Sequence, residues 1–335
     1  MKQFRLIFLI IITFFAVSYS QAQFKFKGYG ATGYKWHDIN KLKEYNQQAY
    51  YDAKFETEIE FSNDISAEFD VYGDNEDHIV RLKEFSVKYK YSDFLKFRIG
   101  NVKKVFGIEQ LTSRDEYFTI DDSYLKRKFS TIGYSGRSVC FMAYNTYNPE
   151  KDSIPVSYRI AAFKENSLSS GLFARISYHH KNIAYSLGYI YQYRGGEYRI
   201  SSSGFECDMM YIGESLSSNL EFFYAADPDE NIVRMAGNID EKANIFALKS
   251  TNAYEFKIDG KFIKKIQPVL LLGYYAPDSK AMDFHTYQIL VGSDFYLNKK
   301  VKLRLNGDLL LTKGKFDNVY STYDSRVTLE VFARF

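Results

Sequence analysis

The sequence predicts an all-β protein, a transmembrane antiparallel up-and-down β-barrel of about sixteen strands. Three observations lead to this fold class. Polar and apolar residues alternate through most of the chain, many of the alternating segments are long enough to cross a membrane as strands, and the breaks between them are alternately short and long.

The alternation can be followed residue by residue. Between residues 54 and 61 every even position is charged, whereas Phe55, Ile59 and Phe61 occupy odd positions. Successive side chains of a strand point to opposite faces, so this segment has one apolar and one polar face. Residues 301–312 repeat the pattern over a length that suits a tilted membrane strand, which needs roughly 9–11 residues. Soluble strands cluster nearer roughly 5–6 residues, so the long segments favour a barrel whose apolar face meets lipid.

The breaks between segments give the strand order. Short turns fall at 62–64 and 181–182, for example, and longer polar stretches at 101–128 and 226–243. Outer-membrane barrels have tight turns at one end and longer loops at the other. The pattern predicts strands near residues 24–37, 50–62, 64–73, 79–91, 94–100, 129–147, 156–164, 171–180, 183–194, 200–212, 216–225, 244–259, 265–276, 286–297, 301–312 and 323–335.

Two joins in this pattern are less regular than the others. The turn at 148–155 is long for its end of the barrel, and 129–147 is also compatible with two short strands. Counts of fourteen or eighteen strands therefore remain compatible with the sequence.

The N-terminus carries the features of an export signal. Lys2 and Arg5 precede an apolar run over 6–17, and small residues follow at Ser20 and Ala22. An uncleaved helical anchor would need roughly 18 apolar residues. We therefore expect a signal peptide over 1–22, one barrel domain over 23–335, and a location in the outer membrane.

Composition excludes several classes of protein. Removing 1–22 lowers Lys+Arg from 44 to 42 against 41 Asp+Glu, and this near-neutral balance argues against a nucleic-acid binder. The two cysteines are too few for a disulfide framework, and the adjacent His179 and His180 would point to opposite faces of a strand. With no nucleophile elbow or metal-protease motif in the sequence, we expect no enzyme activity, no metal and no cofactor.

The last strand ends with an aromatic residue on its apolar face. Val331, Ala333 and Phe335 share that face, and Arg334 lies on the other. This arrangement resembles the C-terminal signal by which outer-membrane barrels engage the barrel assembly machinery. Phe335 is therefore the expected assembly signal.

One motif resembles a known family. The stretch from Gly100 to Ser113 runs from a strand-ending glycine through basic residues to Phe106-Gly107 and Ile108-Glu109. It is similar to the signature of the phosphate-selective porin O/P family, in which this loop folds into the barrel and narrows the pore. The resemblance implies a porin-like channel and a homotrimer.

An infolded loop would bring basic residues to the pore. We expect a ring formed by Lys103, Lys104 and Arg114 from the loop with Lys96 and Arg98 from the preceding strand, because basic rings favour anions. A solvated outer loop is the alternative interpretation of these charges. The cluster 126–128 is instead assigned to a strand end or to lipid headgroups, with a pore filter as the alternative.

These features lead to an expected function. We expect passive diffusion of small hydrophilic solutes, with any anion preference set by the loop over 101–128, in a barrel whose outer face contacts outer-membrane lipid. The alternative is a non-conducting structural or adhesive barrel.

Overall fold

The computed structural model describes residues 22–39, 44–75, 79–196, 199–280, 284–313 and 322–335. Residues 1–21 of the expected signal peptide lie outside this range. Sixteen strands form one antiparallel sheet. They are β1 Gln23–Ile39, β2 Glu44–Glu60, β3 Ile65–Asp74, β4 Ile79–Lys90, β5 Lys96–Lys103, β6 Arg137–Tyr144, β7 Val156–Lys164, β8 Ser169–His180, β9 Ile183–Arg194, β10 Ile200–Ile212, β11 Leu216–Ala226, β12 Asn244–Tyr254 with a two-residue continuation at Phe256–Lys257, β13 Lys265–Ala276, β14 His285–Tyr296, β15 Val301–Lys313 and β16 Thr322–Arg334.

The sheet closes on itself. Each strand pairs with its neighbours in the chain, and β1 pairs with β16 in a register that runs from Tyr29 opposite Arg334 to Ile39 opposite Asp324. A closed barrel has no free strand edge, so its backbone groups are hydrogen-bonded between strands, as a lipid environment requires. The structure therefore confirms the predicted transmembrane barrel.

The two faces of the wall have opposite polarity. Charged side chains such as Arg304 and Glu330 are fully buried inside the barrel, whereas large apolar side chains such as Val291 and Phe335, at 58% and 60% exposure, cover the outside. A soluble protein would show the reverse distribution. The exposed apolar surface is the face that meets lipid.

Phe335 lies on this outer face at the seam of the barrel. Its backbone N–H donates to the Gly28 carbonyl oxygen at 3.0 Å, and its ring covers Gly28, where an added Cβ would lie 2.7 Å from the ring. Arg334 instead donates through Nε to the Lys299 carbonyl oxygen at 3.1 Å. The two residues thus differ in face, as their alternation predicts.

The two longest connections, 104–136 and 227–243, lie at one end of the barrel, which we call the long-loop end, and the tightest turn, 181–182, lies at the other, which we call the short-turn end. The helices lie in the connections of the long-loop end: α1 Ile108–Leu111, a 3₁₀ turn at Arg114–Glu116, α2 Tyr124–Thr131 and α3 Pro228–Ala236. No helix among the described residues is both long and apolar enough to cross a membrane.

The strand predicted over 129–147 is wrong for more than half of its length. Residues 129–147 were expected to be strand, or two short strands, but α2 extends to Thr131 and β6 begins only at Arg137. Ser123 caps α2 by accepting a hydrogen bond from the Lys126 N–H at 3.2 Å, and Gly133 has a positive φ of 80° that ends the regular structure. The other differences are at strand ends, the largest being that β2 begins at Glu44 instead of residue 50.

Residues 104–136, which we call the constriction segment, lie inside the barrel. Apolar side chains of this segment pack with inward-facing residues of the wall in one buried cluster: Val102, Val105, Phe106, Leu125, Phe129, Ile132, Tyr134, Cys140, Met142, Ala161, Phe163, Phe173, Ile190, Phe223, Ala225, Ile245, Ala247 and Tyr275. The cluster fixes the segment against one side of the lumen and confirms the predicted infolded loop.

Candidate pore constriction

The Phe106-Gly107 pair begins the infolding. The Phe106 ring packs against Phe129, Tyr134 and Phe223, with ring centroids 5.2, 5.5 and 5.4 Å away. Gly107 follows with a φ of 92°, a conformation that L side chains rarely adopt. An aromatic anchor followed by a glycine therefore turns the chain into the lumen.

Two carboxylates of the barrel wall accept hydrogen bonds from the backbone at this turn. The Gly107 N–H donates to Glu206 of β10, and the Ile108 N–H donates to Glu221 of β11 at 2.9 Å. Backbone donors that the short helix α1 leaves unpaired are satisfied in this way. The contact fixes one end of the constriction segment.

Glu109 joins two parts of the segment to the wall. Its carboxylate accepts from the Ser123 N–H at 2.8 Å and from Lys249 Nζ of β12 at 2.7 Å. Burial disfavours the charged carboxylate, but the charges of Lys249 and Lys126 outweigh burial and hold the pKa of Glu109 at about 2. Glu109 is therefore ionised at neutral pH.

The segment is also tied to the opposite wall. Arg114 pairs with Asp52 of β2, and with Glu330 of β16 at 2.8 Å. Arg304 Nη2 of β15 donates to the carbonyl oxygens of Tyr117 and Thr119 at 2.9 and 2.8 Å. Contacts with β10 to β12 on one side and with β2, β15 and β16 on the other show that the segment crosses the lumen.

A cavity of about 620 Å³ remains between the segment and the wall formed by β1 to β6 and β16. Ten Lys or Arg side chains line it against four Asp side chains. These charged residues are Lys35, Lys54, Arg81, Lys83, Lys103, Arg114, Lys126, Arg127, Arg137 and Arg326, with Asp52, Asp74, Asp121 and Asp122. We call this space the basic cavity.

Part of this charge is neutralised locally. Asp121 lies 3.3 Å from Lys35 and 3.1 Å from Arg326, and Asp122 lies 2.6 Å from Lys126. The two basic partners of Asp121 outweigh its burial and lower its pKa, so it stays ionised. Because one carboxylate faces two cations here, a positive excess remains.

Three cations of the basic cavity make no ion pair with any carboxylate in the described part of the chain. Lys103 Nζ donates to the Thr112 carbonyl oxygen at 3.2 Å, and Lys83 Nζ lies 3.9 Å from the centre of the Tyr72 ring. The third is Arg127 of α2. These three groups are the strongest candidates for contact with a passing anion.

A β-bulge places Lys83 in the lumen. The register of β3 and β4 pairs Asp70 with Glu84 but Val71 with Leu82, so Lys83 is an extra residue on β4. Bulges redirect side chains in this way. Lys83 and Glu84 consequently both point inward although they are adjacent in sequence.

The structure brings together two of the five residues expected in the basic ring. Lys103 and Arg114 line the basic cavity. Arg98 lies in the wall, where it pairs with Glu68 at 2.9 Å and Glu84 at 2.5 Å, and is not among the residues lining the cavity.

Lys96 and Lys104 lie elsewhere. Lys96 is at the short-turn end, where its Nζ donates to Thr146 Oγ1 at 3.1 Å. Lys104 is fully buried, donates to the Gly133 carbonyl oxygen at 2.6 Å and lies 3.4 Å from Glu165. Burial lowers the pKa of Lys104. Lys96 and Lys104 are thus not among the residues that line the basic cavity.

Sequence reasoning missed other cations of the cavity. Lys126 and Arg127 were assigned to lipid headgroups or a strand end, but α2 lies in the lumen and both line the cavity. Lys35, Lys54 and Arg326 lie on the polar faces of their strands, so the alternation itself could have identified them.

The described residues contain one acidic cluster of the kind that could hold a metal. Carboxylate oxygens of Glu56, Glu68 and Asp70 lie within 4.8 Å of one another. Lys54 lies 2.8 Å from Asp70, and Lys88 lies 2.7 Å from Glu68. Ammonium groups thus occupy the positions beside these carboxylates, and the cluster is a network of ion pairs.

Comparison with family models and with curated proteins gives no match for this chain. The resemblance to the phosphate-selective porin O/P family therefore rests on the motif alone.

Solved structures do match. The chain resembles an anion-selective porin from Comamonas acidovorans with a TM-score of 0.66 at 11% identity, over 94% of this chain and 100% of that one. It resembles the outer membrane channel DcaP of Acinetobacter baumannii with a TM-score of 0.65 at 13% identity, over 94% and 98%. It also resembles a trimer form of the outer membrane protein OmpT of Vibrio cholerae with a TM-score of 0.59 at 10% identity, over 94% and 100%. This chain therefore has the fold of outer-membrane porins and channels.

Proposed function

We propose that the protein is an outer-membrane channel through which small hydrophilic solutes diffuse passively, with a preference for anions. The basic cavity is the observation that carries this proposal, because it joins a narrowed lumen to an excess of ten cations over four carboxylates. Cationic groups in a constriction lower the electrostatic cost of admitting an anion.

The apolar outer face supports placement in a membrane, and the fold shared with outer-membrane porins supports the outer membrane. The long-loop end then faces the exterior and the short-turn end the periplasm, as in bacterial barrels of this kind. We propose that residues 1–22 direct export, that Phe335 signals assembly to the barrel assembly machinery, and that three copies form a trimer.

The mixed lining argues for a broad path. The cavity holds tyrosines, carboxylates and the amide of Gln110 beside its cations. A dedicated binding site for one anion would surround its ligand with converging donors. We therefore propose that the channel selects solutes weakly by their charge and does not select them strongly by their shape.

Planar bilayer recording tests the proposal. Purified protein added to a bilayer under a KCl gradient should produce discrete conductance steps, with a reversal potential displaced toward the chloride equilibrium potential. Steps that are cation-selective would overturn the anion preference. Correctly folded protein that gives no steps would support the non-conducting barrel instead.

A further inference from the structure

Arg159 is an arginine of the lumen wall without a partner. It lies on β7, directly opposite Tyr144 of β6 on one side and Arg175 of β8 on the other. No hydrogen bond or ion pair joins its side chain to any described residue, although the side chain is partly buried.

The neighbouring arginines are neutralised. Arg175 pairs with Glu206 and lies 2.7 Å from Asp208, and Arg98 pairs with two glutamates of β3 and β4. Like charges directly opposite each other on paired strands destabilise a sheet, and an enclosed charge without a partner costs more than an exposed one. Carboxylates offset this cost at Arg175 and Arg98, and no residue in the described part of the chain pairs with Arg159.

The guanidinium of Arg159 faces a separate cavity of about 260 Å³ on the short-turn side of the constriction segment. Hydroxyl groups of Ser157, Ser177 and Ser186 line the same space, and so does His179, whose Nε2 lies 2.8 Å from Ser157 Oγ. A guanidinium that lines a cavity together with hydroxyl groups suits an oxyanion, which it can bind through two parallel hydrogen bonds.

We propose that this cavity binds small monocarboxylates, with Arg159 as the group that holds the carboxylate. The lining also contains apolar side chains, Ile108 and Leu111 from the constriction segment and Ala184 and Met210 from the wall. These side chains can cover a short aliphatic body while its carboxylate meets Arg159.

The charges of the cavity select against multiply charged anions. Besides Arg159 and Arg175, two carboxylates, Asp208 and Glu116, line the cavity, and neither of them pairs with Arg159. A single negative charge can be accommodated beside Arg159, whereas a second charge would meet these carboxylates without a free cation to offset it. Inorganic phosphate, which is partly divalent at neutral pH, is therefore a poorer ligand than a monocarboxylate.

The inference rests on the proposed function, since a carboxylate would reach this cavity through the lumen. The first measurement is the chloride current of single channels with butyrate added at increasing concentration. Butyrate should reduce the current of the wild type in a saturable way, and Arg159→Gln should weaken the apparent affinity about tenfold or more, as expected when a charge-assisted bidentate contact is lost. Inorganic phosphate should block more weakly than butyrate.

Two further variants make the measurement specific. Lys96→Gln removes the same charge from the same half of the lumen but outside the cavity, so it should leave the block by butyrate unchanged. Arg159→Lys keeps the charge but loses the planar fork, and should lie between the wild type and Arg159→Gln. Because Arg159 has no partner among the described residues, Arg159→Gln should fold as the wild type does. The heat-dependent mobility of the barrel on gels checks this.

The results separate the two proposals. Equal block of the wild type and Arg159→Gln, or tighter block by phosphate than by butyrate, would overturn the carboxylate site while leaving the channel established. If the wild type gives no chloride current, the channel proposal fails, and calorimetric titration of butyrate into the detergent-solubilised wild type and Arg159→Gln still decides the site.

Discussion

Reversing the charge of Lys83 and Lys103 should convert the basic cavity into a nearly neutral one. The double variant Lys83→Glu and Lys103→Glu changes the local charge by four units, against a present excess of ten cations over four carboxylates. Neither lysine makes an ion pair with a described carboxylate, so the change removes charge from the passage without breaking such a pair. We expect the reversal potential in a KCl gradient to move toward cations.

The size of the shift follows from Coulomb's law. At about 10 Å in water one unit charge contributes about 0.4 kcal/mol, so four units contribute about 1.7 kcal/mol before screening. At 0.1 M salt the Debye length of about 10 Å reduces this to about 0.6 kcal/mol. Each ion's permeability should then change about threefold in opposite directions, and the anion-to-cation ratio should fall about eightfold.

The control and the salt series decide the outcome. Lys257→Glu with Lys299→Glu makes the same four-unit change at residues of the short-turn end that do not line the basic cavity, and it should move the reversal potential much less. The effect of the first pair should shrink at 1 M salt, where the Debye length is about 3 Å. An unchanged reversal potential at 0.1 M salt, with normal conductance, would refute the assignment of this cavity to the ion path.

Three further predictions concern the segment and the seam. Phe106→Ala should destabilise the packed constriction segment by about 3–5 kcal/mol, seen as noisier current and lower thermal stability, whereas the exposed Phe262→Ala should change neither. The pKa of Glu109 is lowered by folding, so its ionised form stabilises the segment fully above about pH 4.3, and this contribution is lost as the pH falls toward about 2. Current fluctuations should increase over that range, and a Glu109→Gln channel that keeps the same pH dependence would contradict this cause. Phe335→Asp should reduce the amount of protein in the outer membrane more than Arg334→Asp does, because only Phe335 covers the outer face of the seam. Equal amounts of the two variants by immunoblot would rule out this role of Phe335.

The wall of the barrel could be predicted from sequence because its cause is local. Successive strand residues alternate between lipid and lumen, so Phe55 and Glu56 already show which face is which. The Phe106-Gly107 motif likewise identified the infolded loop. These features depend on neighbouring residues and on one motif.

The details of the lumen could not be predicted in this way. Lys104 is buried because it contacts Gly133 and Glu165, which are distant in sequence. The bulge that turns Lys83 inward breaks the alternation on which the prediction depends. Residues 129–131 continue a helix that is held by contacts in the lumen, such as the hydrogen bond from the Tyr124 N–H to Gln288 Oε1 at 2.9 Å. The alternation of neighbouring residues carries no information about such contacts.

The seam between β1 and β16 has a consequence for how the chain reaches its folded state. Tyr29 and Arg334 are partners in the register. The edge of β1 that does not pair with β2 therefore stays unpaired until β16 is in place. Contacts of such wide sequence separation form slowly, because a long loop must close first. Until that moment two strand edges stay open to other chains and can aggregate. The completion of the barrel is therefore the step at which the nascent chain most needs protection, and a chain that lacked β1 or β16 would lose that step entirely.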